Sequence, residues 1–298
     1  MKRAIATVAV LFACGAFATP FSFEQRMNLK VDGVPWLGTV NTPIIEADED
    51  LRYETFKVYT HLYDFEGNER ITKGSEGQFS HHRGLFIGWN HTDVGDTRYD
   101  TWHMGNSSQN HIAWLDLYAG DDSARQVQEI HWSDEDGVPF IREVRTIEAR
   151  PGDDGVRVID FTSELTALHE DIELRGDSHH AGMQIRLHEE VGDHADTTEY
   201  ILQPGGEEID NDEVLDAWWV ICGAVVNDQR YWVAHMTPPD HPTGVPMYSI
   251  RRYARFGAFF EPDLQHGEPK TFTFRILVSE DELDIETVEA HYEAYSAE

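Results

Sequence analysis

From residue 124 to residue 167 the chain alternates apolar and polar residues through three successive runs, and this alternation constrains the fold more than any other feature. "RQVQEIHWSDEDG" turns at Asp136-Gly137, "FIREVRTIEARPGDDG" alternates again, and "VRVIDFTSELTAL" follows at once. Successive side chains of a strand point to opposite faces, so each run carries one apolar and one polar face. Short turns between such runs join antiparallel neighbours. "FKVYTHLYDFEG", "HIAWLDLYAGDD", "MQIRLHEEV", "YWVAHMTPP", "ARFGAFF" and "KTFTFRILVS" add strands with turn signals at the spacing of a sandwich or barrel. Helical periodicity appears only in "DIETVEAHYEAY", where Asp284 can cap and Ile285, Val288 and Tyr292 share a face. No linker, low-complexity run or repeat divides the chain. The expected fold is therefore all-β: a single large antiparallel β-sandwich over residues 19–298, with a short C-terminal helix.

The first 18 residues read as an export signal. Lys2 and Arg3 form its positive end, Ala4 to Phe12 its apolar core, and Ala16-Phe17-Ala18 its cleavage site. This places the mature protein in the periplasm or outside the cell. Leu11-Phe12-Ala13-Cys14 also has the outline of a lipoprotein box, which offers Cys14 as a lipid anchor. No other apolar run is long enough for a membrane span. Without the signal, Cys222 in "AWWVICGAVV" is the one cysteine, so no intramolecular disulfide is expected and the thiol reads as buried and inert.

Acidic residues number 55 against 23 basic, a formal charge of −32. Nucleic acid and anionic membranes require a basic surface, so both are excluded as partners. The acidic residues are spread along the chain, which suits a halophilic setting where salt screens their repulsion.

The chemistry concentrates in three histidine clusters. His81, His82, Arg83, His91, His103 and His111 are interleaved with Trp89, Trp102, Trp114, Asp100 and Gln109. His179, His180, Gln184, Arg186 and His188 follow, then His235, Asp240 and His241 with Arg251, Arg252 and Tyr253. Imidazoles and carboxylates suit a transition metal, but no H-E-x-x-H or Cys-His set is present. A divalent ion on the histidines stays open as a cofactor, and no metal-ligand set is assigned. Aromatic platforms beside charged and amide groups suit a sugar, with a histidine moving protons. A serine nucleophile and a phosphate loop both lack their motifs.

"SHHRGLFIGW", "DTWH", "QNHIAW", "DAWWVICGAV", "VAHMTPPDHP" and "HGEPKTFTFRI" occur in the order of a bacterial family often labelled PmoA-like, or "methane oxygenase PmoA". The resemblance covers roughly residues 50 to 295. The label implies an integral membrane oxygenase subunit, which a chain without a span contradicts, so the label reads as a misnomer. Members resemble secreted proteins of polysaccharide-degrading bacteria, which implies work on an oligosaccharide or polysaccharide. "LQHGEPKTFTFRI" also resembles a late strand entry of the galactose-mutarotase-like supersandwich, with His266 where that pattern has proline.

The resemblance puts His82 and Arg83 in the family signature, with His111 following. The expected function is a carbohydrate-active lyase, hydrolase or epimerase. The alternatives are a non-catalytic carbohydrate-binding protein and a metal-dependent oxidoreductase. His82 is expected to move a proton, Arg83 to bind an anionic group, and His111 to be the second acid/base, with His81 completing the catalytic set. Trp102, His103, His180, His235 and Arg252 are expected to bind substrate, Trp102 by stacking. Within a regular strand beginning near Phe79, His81 and His82 would face opposite ways, so one of them would be structural. A bulge beside Gly84 would be needed to turn His82 and Arg83 to the same side.

Overall fold

A computed structural model describes residues 26–298, with the exception of 178, 210 and 211. The expected export signal and Cys14 lie outside the described residues. The three alternating runs form the strands Ala124–Asp134, Pro139–Pro151 and Arg157–Ala167, paired antiparallel in succession. Alternate residues of each are buried, as the period of two demands. These strands belong to an eight-stranded sheet whose order runs Glu199–Leu202, Trp219–Val226, Gln229–Met236, Lys270–Ser279, Arg157–Ala167, Pro139–Pro151, Ala124–Asp134, Ser107–Ala119.

A nine-stranded sheet lies against it, in the order Arg26–Val31, Val34–Val40, Tyr59–Leu62, Gly84–Trp89, Ala181–Arg186, Arg255–Phe259, Met247–Arg251, Glu213–Leu215, Glu207–Ile209. A four-stranded sheet of Asp263–Leu264, Ile172–Arg175, His91–Val94 and Thr97–Tyr99 closes one side. The expected all-β sandwich is the observed fold. One core joins the two large sheets: Leu85, Ile87, Met183 and Ile185 of one meet Ile130, Ile147, Phe161 and Ile276 of the other. Trp89 and Trp132 face each other across the interface with ring centroids 6.1 Å apart.

A charged pair is sealed in this core. Glu143 and Arg145 are fully buried, with Arg145 Nε donating to Glu143 Oε1 at 2.8 Å. Ser163 Oγ and Trp132 Nε1 also donate to the carboxylate, and Arg145 Nη1 reaches the carbonyl of Val58, just before the strand Tyr59–Leu62 of the opposite sheet, at 2.9 Å. Every formal charge of the pair is therefore hydrogen-bonded, the condition under which a buried pair is tolerated.

The terminal helix spans Ile285–Ser296, and Asp284 caps it by accepting from the N–H of Thr287 at 2.8 Å. Val288 and Tyr295 are its buried residues, whereas Ile285 of the expected apolar face lies exposed. Cys222 is buried, and burial pushes its thiol up to about 12, so it stays protonated.

The strand Gly84–Trp89 positions the site. Leu85, Ile87 and Trp89 enter the main core, while Phe86 on the other face joins Val40, Tyr59 and Trp102 in a small cluster of its own. Gly88 lets the loop carrying Thr101 and Trp102 lie directly on the sheet: a Cβ there would fall 2.3 Å from the Thr101 carbonyl oxygen.

Candidate functional site

Three turns converge over this outer face of the nine-stranded sheet. The first, residues 78–81, precedes the strand, which begins at Gly84. The N–H of His82 donates to the Phe79 carbonyl at 2.9 Å, and Phe79 sits at φ +53. A bulky side chain rarely adopts that backbone region, and such strain gathers where function requires it. Because His81 and His82 lie on a turn, their rings come together, with centroids 4.2 Å apart. The expected separation onto opposite faces is corrected by this geometry, and no bulge is involved.

The second turn runs from Asp100 to Met104. Asp100 Oδ1 accepts from the N–H groups of Trp102 at 3.0 Å and His103 at 2.7 Å, and Met104 closes the turn at φ +64. In the third, the N–H of His180 donates to the Asp177 carbonyl at 3.0 Å. The N–H of Asn90 donates to the His180 carbonyl at 2.9 Å, which ties this turn to the end of the strand Gly84–Trp89.

His81, His103 and His180 meet at the convergence, each offering a ring nitrogen, and these atoms all lie within 4.8 Å of one another. Asp100 Oδ2 accepts from His103 Nδ1 at 2.8 Å, and Asp177 Oδ1 accepts from His180 Nδ1 at 2.7 Å. An ionised carboxylate can only accept, so each Nδ1 carries a proton, and in the neutral ring it is Nε2 that holds the lone pair. Burial alone would raise the Asp100 carboxyl, but its hydrogen bonds from the side chain and backbone of His103 outweigh that and hold it low. Burial, the Lys57 charge and the neighbouring His103 and His180 push His81 down to about 2, so it is neutral. Burial also lowers His180, against the opposing pull of Asp177.

His82 lies beside this group, 2% exposed, and neither ring nitrogen has a hydrogen-bond partner among the described residues. Burial, then the Arg255 charge, hold it well below its usual value. Trp102 crosses it edge-on at 5.7 Å, and its Nε1 is likewise unpartnered. Lys57, fully buried, donates through Nζ to the carbonyls of Trp102 at 2.6 Å and His81 at 3.2 Å, tying the first two turns together. Arg255 donates to Gln184 Oε1 and Ser249 Oγ at 3.0 Å each, and Arg186 lies over the ring of Tyr253. Phe79, 42% exposed, stacks on Tyr253 with centroids 5.2 Å apart, and this pair forms the outer wall.

The structure thus brings together His81, His82, Trp102, His103 and His180 of the expected set. Trp102 is wholly buried, so it packs under the site, and Phe79 and Tyr253 are the aromatic side chains at its surface beside the partly exposed His103 and His180. Arg83 is also buried: its Nε, Nη1 and Nη2 donate to the carbonyls of Ser80, Glu54 and Tyr53. Its role is to pin the first turn to the helix Glu49–Thr55, which replaces the expected anion contact. His111 belongs to the strand Ser107–Ala119 of the other sheet, where Nδ1 donates to Gln128 Oε1 at 3.0 Å and the ring packs on Trp114. It is not placed as a second acid/base. His235 is fully buried in the core among Tyr248, Met183 and Phe274. Arg252 is exposed and donates to the Thr198 carbonyl at 3.1 Å.

A scan for histidines passes over Lys57, Phe79 and Asp177. One signal was available for the carboxylates: Asp100 precedes His103, and Asp177 precedes His180, by the same three positions. Lys57 carries no such mark, because its partners are main-chain carbonyls.

A family model described as "Family of unknown function (DUF6807)" matches residues 26–293, and that description carries no methane-oxygenase label. No curated protein matches the chain. Among solved structures it is similar to "Putative kojibiose phosphorylase from human microbiome", at 10% identity and a TM-score of 0.34, over 91% of this chain and 32% of that one. It is also similar to "Heparinase III-BT4657 gene product, Methylated Lysines", at 6% identity and a TM-score of 0.32, over 86% of this chain and 36% of that one. The chain spans about a third of the length of each.

Proposed function

This chain belongs to the DUF6807 family of unknown function, and we propose that it is an exported carbohydrate-active enzyme of the hydrolase, lyase or epimerase type. The reacting centre is the face formed by the three turns. The observation that carries the reading is the stacked, reachable pair Phe79 and Tyr253 beside the unpartnered imidazole of His82. An aromatic wall binds the apolar face of a sugar ring, and a few fixed polar groups select its hydroxyls. His82 is the group that exchanges a proton with the sugar.

The charge around it supports a substrate class. Lys57, Arg186 and Arg255 surround His82 in a chain that is otherwise strongly acidic, and Nε of both Arg186 and Arg255 has no partner among the described residues. A sugar carboxylate, as in a uronic acid, matches those donors. Incubation of the signal-free protein with a panel of neutral and uronate oligosaccharides, in salt, tests the reading by product mass. New products that vanish in His82→Gln support it, and their masses separate water addition from elimination. No product from any glycan overturns the enzyme reading and leaves carbohydrate binding.

A further inference from the structure

We propose that His81, His103 and His180 hold a divalent transition-metal ion of the zinc class, each through one ring nitrogen, with Asp100 and Asp177 orienting two of the ligands. The ligand atoms lie within 4.8 Å of one another. A tetrahedral set with metal–nitrogen bonds of about 2.0–2.1 Å has edges of roughly 3.3 Å, so small ring rotations close the three onto an ion. The Nε2 atom of His81 is buried without a hydrogen-bond partner among the described residues. Asp100 and Asp177 occupy Nδ1 of His103 and His180, so Nε2 is the nitrogen each has left for an ion. Three imidazole nitrogens this close together form a ready donor set for one cation.

Aspartate behind histidine is the arrangement that fixes the tautomer and raises the basicity of a metal-bound imidazole. Here it occurs twice, on separate turns, with oxygen–nitrogen distances of 2.8 and 2.7 Å. Imidazole donors without a carboxylate ligand favour zinc, copper, iron or nickel over magnesium or calcium. The His103 and His180 side chains are 36% and 28% exposed, so further coordination positions face solvent. Three protein ligands with a position left for water or substrate is the pattern of a catalytic centre, and it would supply Lewis acidity toward a sugar oxygen.

This inference rests on the three turns being the working site, but its test is separate from sugar turnover. The full signal-free chain is stripped with chelator and titrated with Zn²⁺ and Co²⁺, reading bound metal by mass spectrometry and the visible cobalt absorption of a low-coordinate nitrogen site. The expected result is one ion per chain, reduced to none in His103→Ala and in His180→Ala, and retained in His111→Ala. Asp100→Asn and Asp177→Asn keep the turn's acceptor oxygen and are expected to weaken affinity about 10–100-fold with near-UV circular dichroism unchanged. No stoichiometric ion in the wild type, or binding that survives both histidine changes, overturns the metal site. Sugar products from a chain that binds no ion overturn the metal site and leave the enzyme reading standing, and a stoichiometric ion without products overturns only the enzyme reading.

Discussion

The ammonium of Lys57 donates to the carbonyl of Trp102 at 2.6 Å while fully shielded from water. The same nitrogen reaches the carbonyl of His81 at 3.2 Å, so one buried cation holds together two turns that are distant in sequence. Burial, then the Arg83 charge, lower its affinity for a proton well below the usual lysine value. Substituting Lys57→Met removes both bonds and leaves two buried carbonyls unpaired, each costing about 1–3 kcal/mol. The expected outcome is faster amide exchange confined to residues around 79–82 and 100–104. Unchanged exchange in both turns would show that Lys57 does not position them.

The strained Phe79 separates stability from function. Glycine adopts φ +53 without the Cβ penalty, so Phe79→Gly relieves about 1 kcal/mol of backbone strain, which offsets the packing lost on Tyr253. The same change removes the reachable wall that stacks on Tyr253. Denaturant unfolding should show stability close to the wild type's and sugar titration a loss of affinity. A variant that binds as tightly as the wild type would remove Phe79 from the ligand face.

Glu143 and Arg145 make the opposite kind of prediction, because nothing about them is reachable. Glu143→Ala strands a fully buried guanidinium and is expected to cost about 3–5 kcal/mol. The double change Glu143→Leu, Arg145→Met is expected to recover much of that loss. Urea midpoints of the three proteins decide the matter, and a single variant no less stable than the double would refute the pairing.

Acid should destabilise the core through its histidines. Burial lowers His235 to about 3 and His241 to about 4, whereas an unfolded histidine titrates near 6.5. The unfolded chain therefore binds protons first as pH falls, so stability is complete above about 6.5 and is lost progressively toward pH 4. His81, His82 and His180 push in the same direction. Melting temperatures between pH 7.5 and 4.5 should fall for the wild type and fall less in His235→Leu. An identical slope in that variant would mean that His235 does not carry the linkage.

What the sequence determined by itself is the sandwich. A side-chain period of two, sustained from Arg125 to Ala167 with tight turns between, fits one solution in which every second residue is buried. The helix cap at Asp284 and the inert Cys222 were legible for similarly local reasons: a cap acts over three residues, and an apolar run around a thiol implies burial. The stretch "GQFSHHRGLF" also announced itself, but its geometry did not. Read as a strand it sends His81 and His82 apart, whereas a turn held from Phe79 to His82 brings them together. Which histidines meet was decided by tertiary structure alone. His81, His103 and His180 become neighbours because Gly88 admits one loop onto the sheet and strand pairing delivers another, while His111 and His235 end in the opposite sheet and the core. Periodicity records only which way a side chain points along its own strand. It carries no information on how separate turns are stacked over a sheet, since main-chain contacts such as those of Lys57 and Arg83 set that stacking.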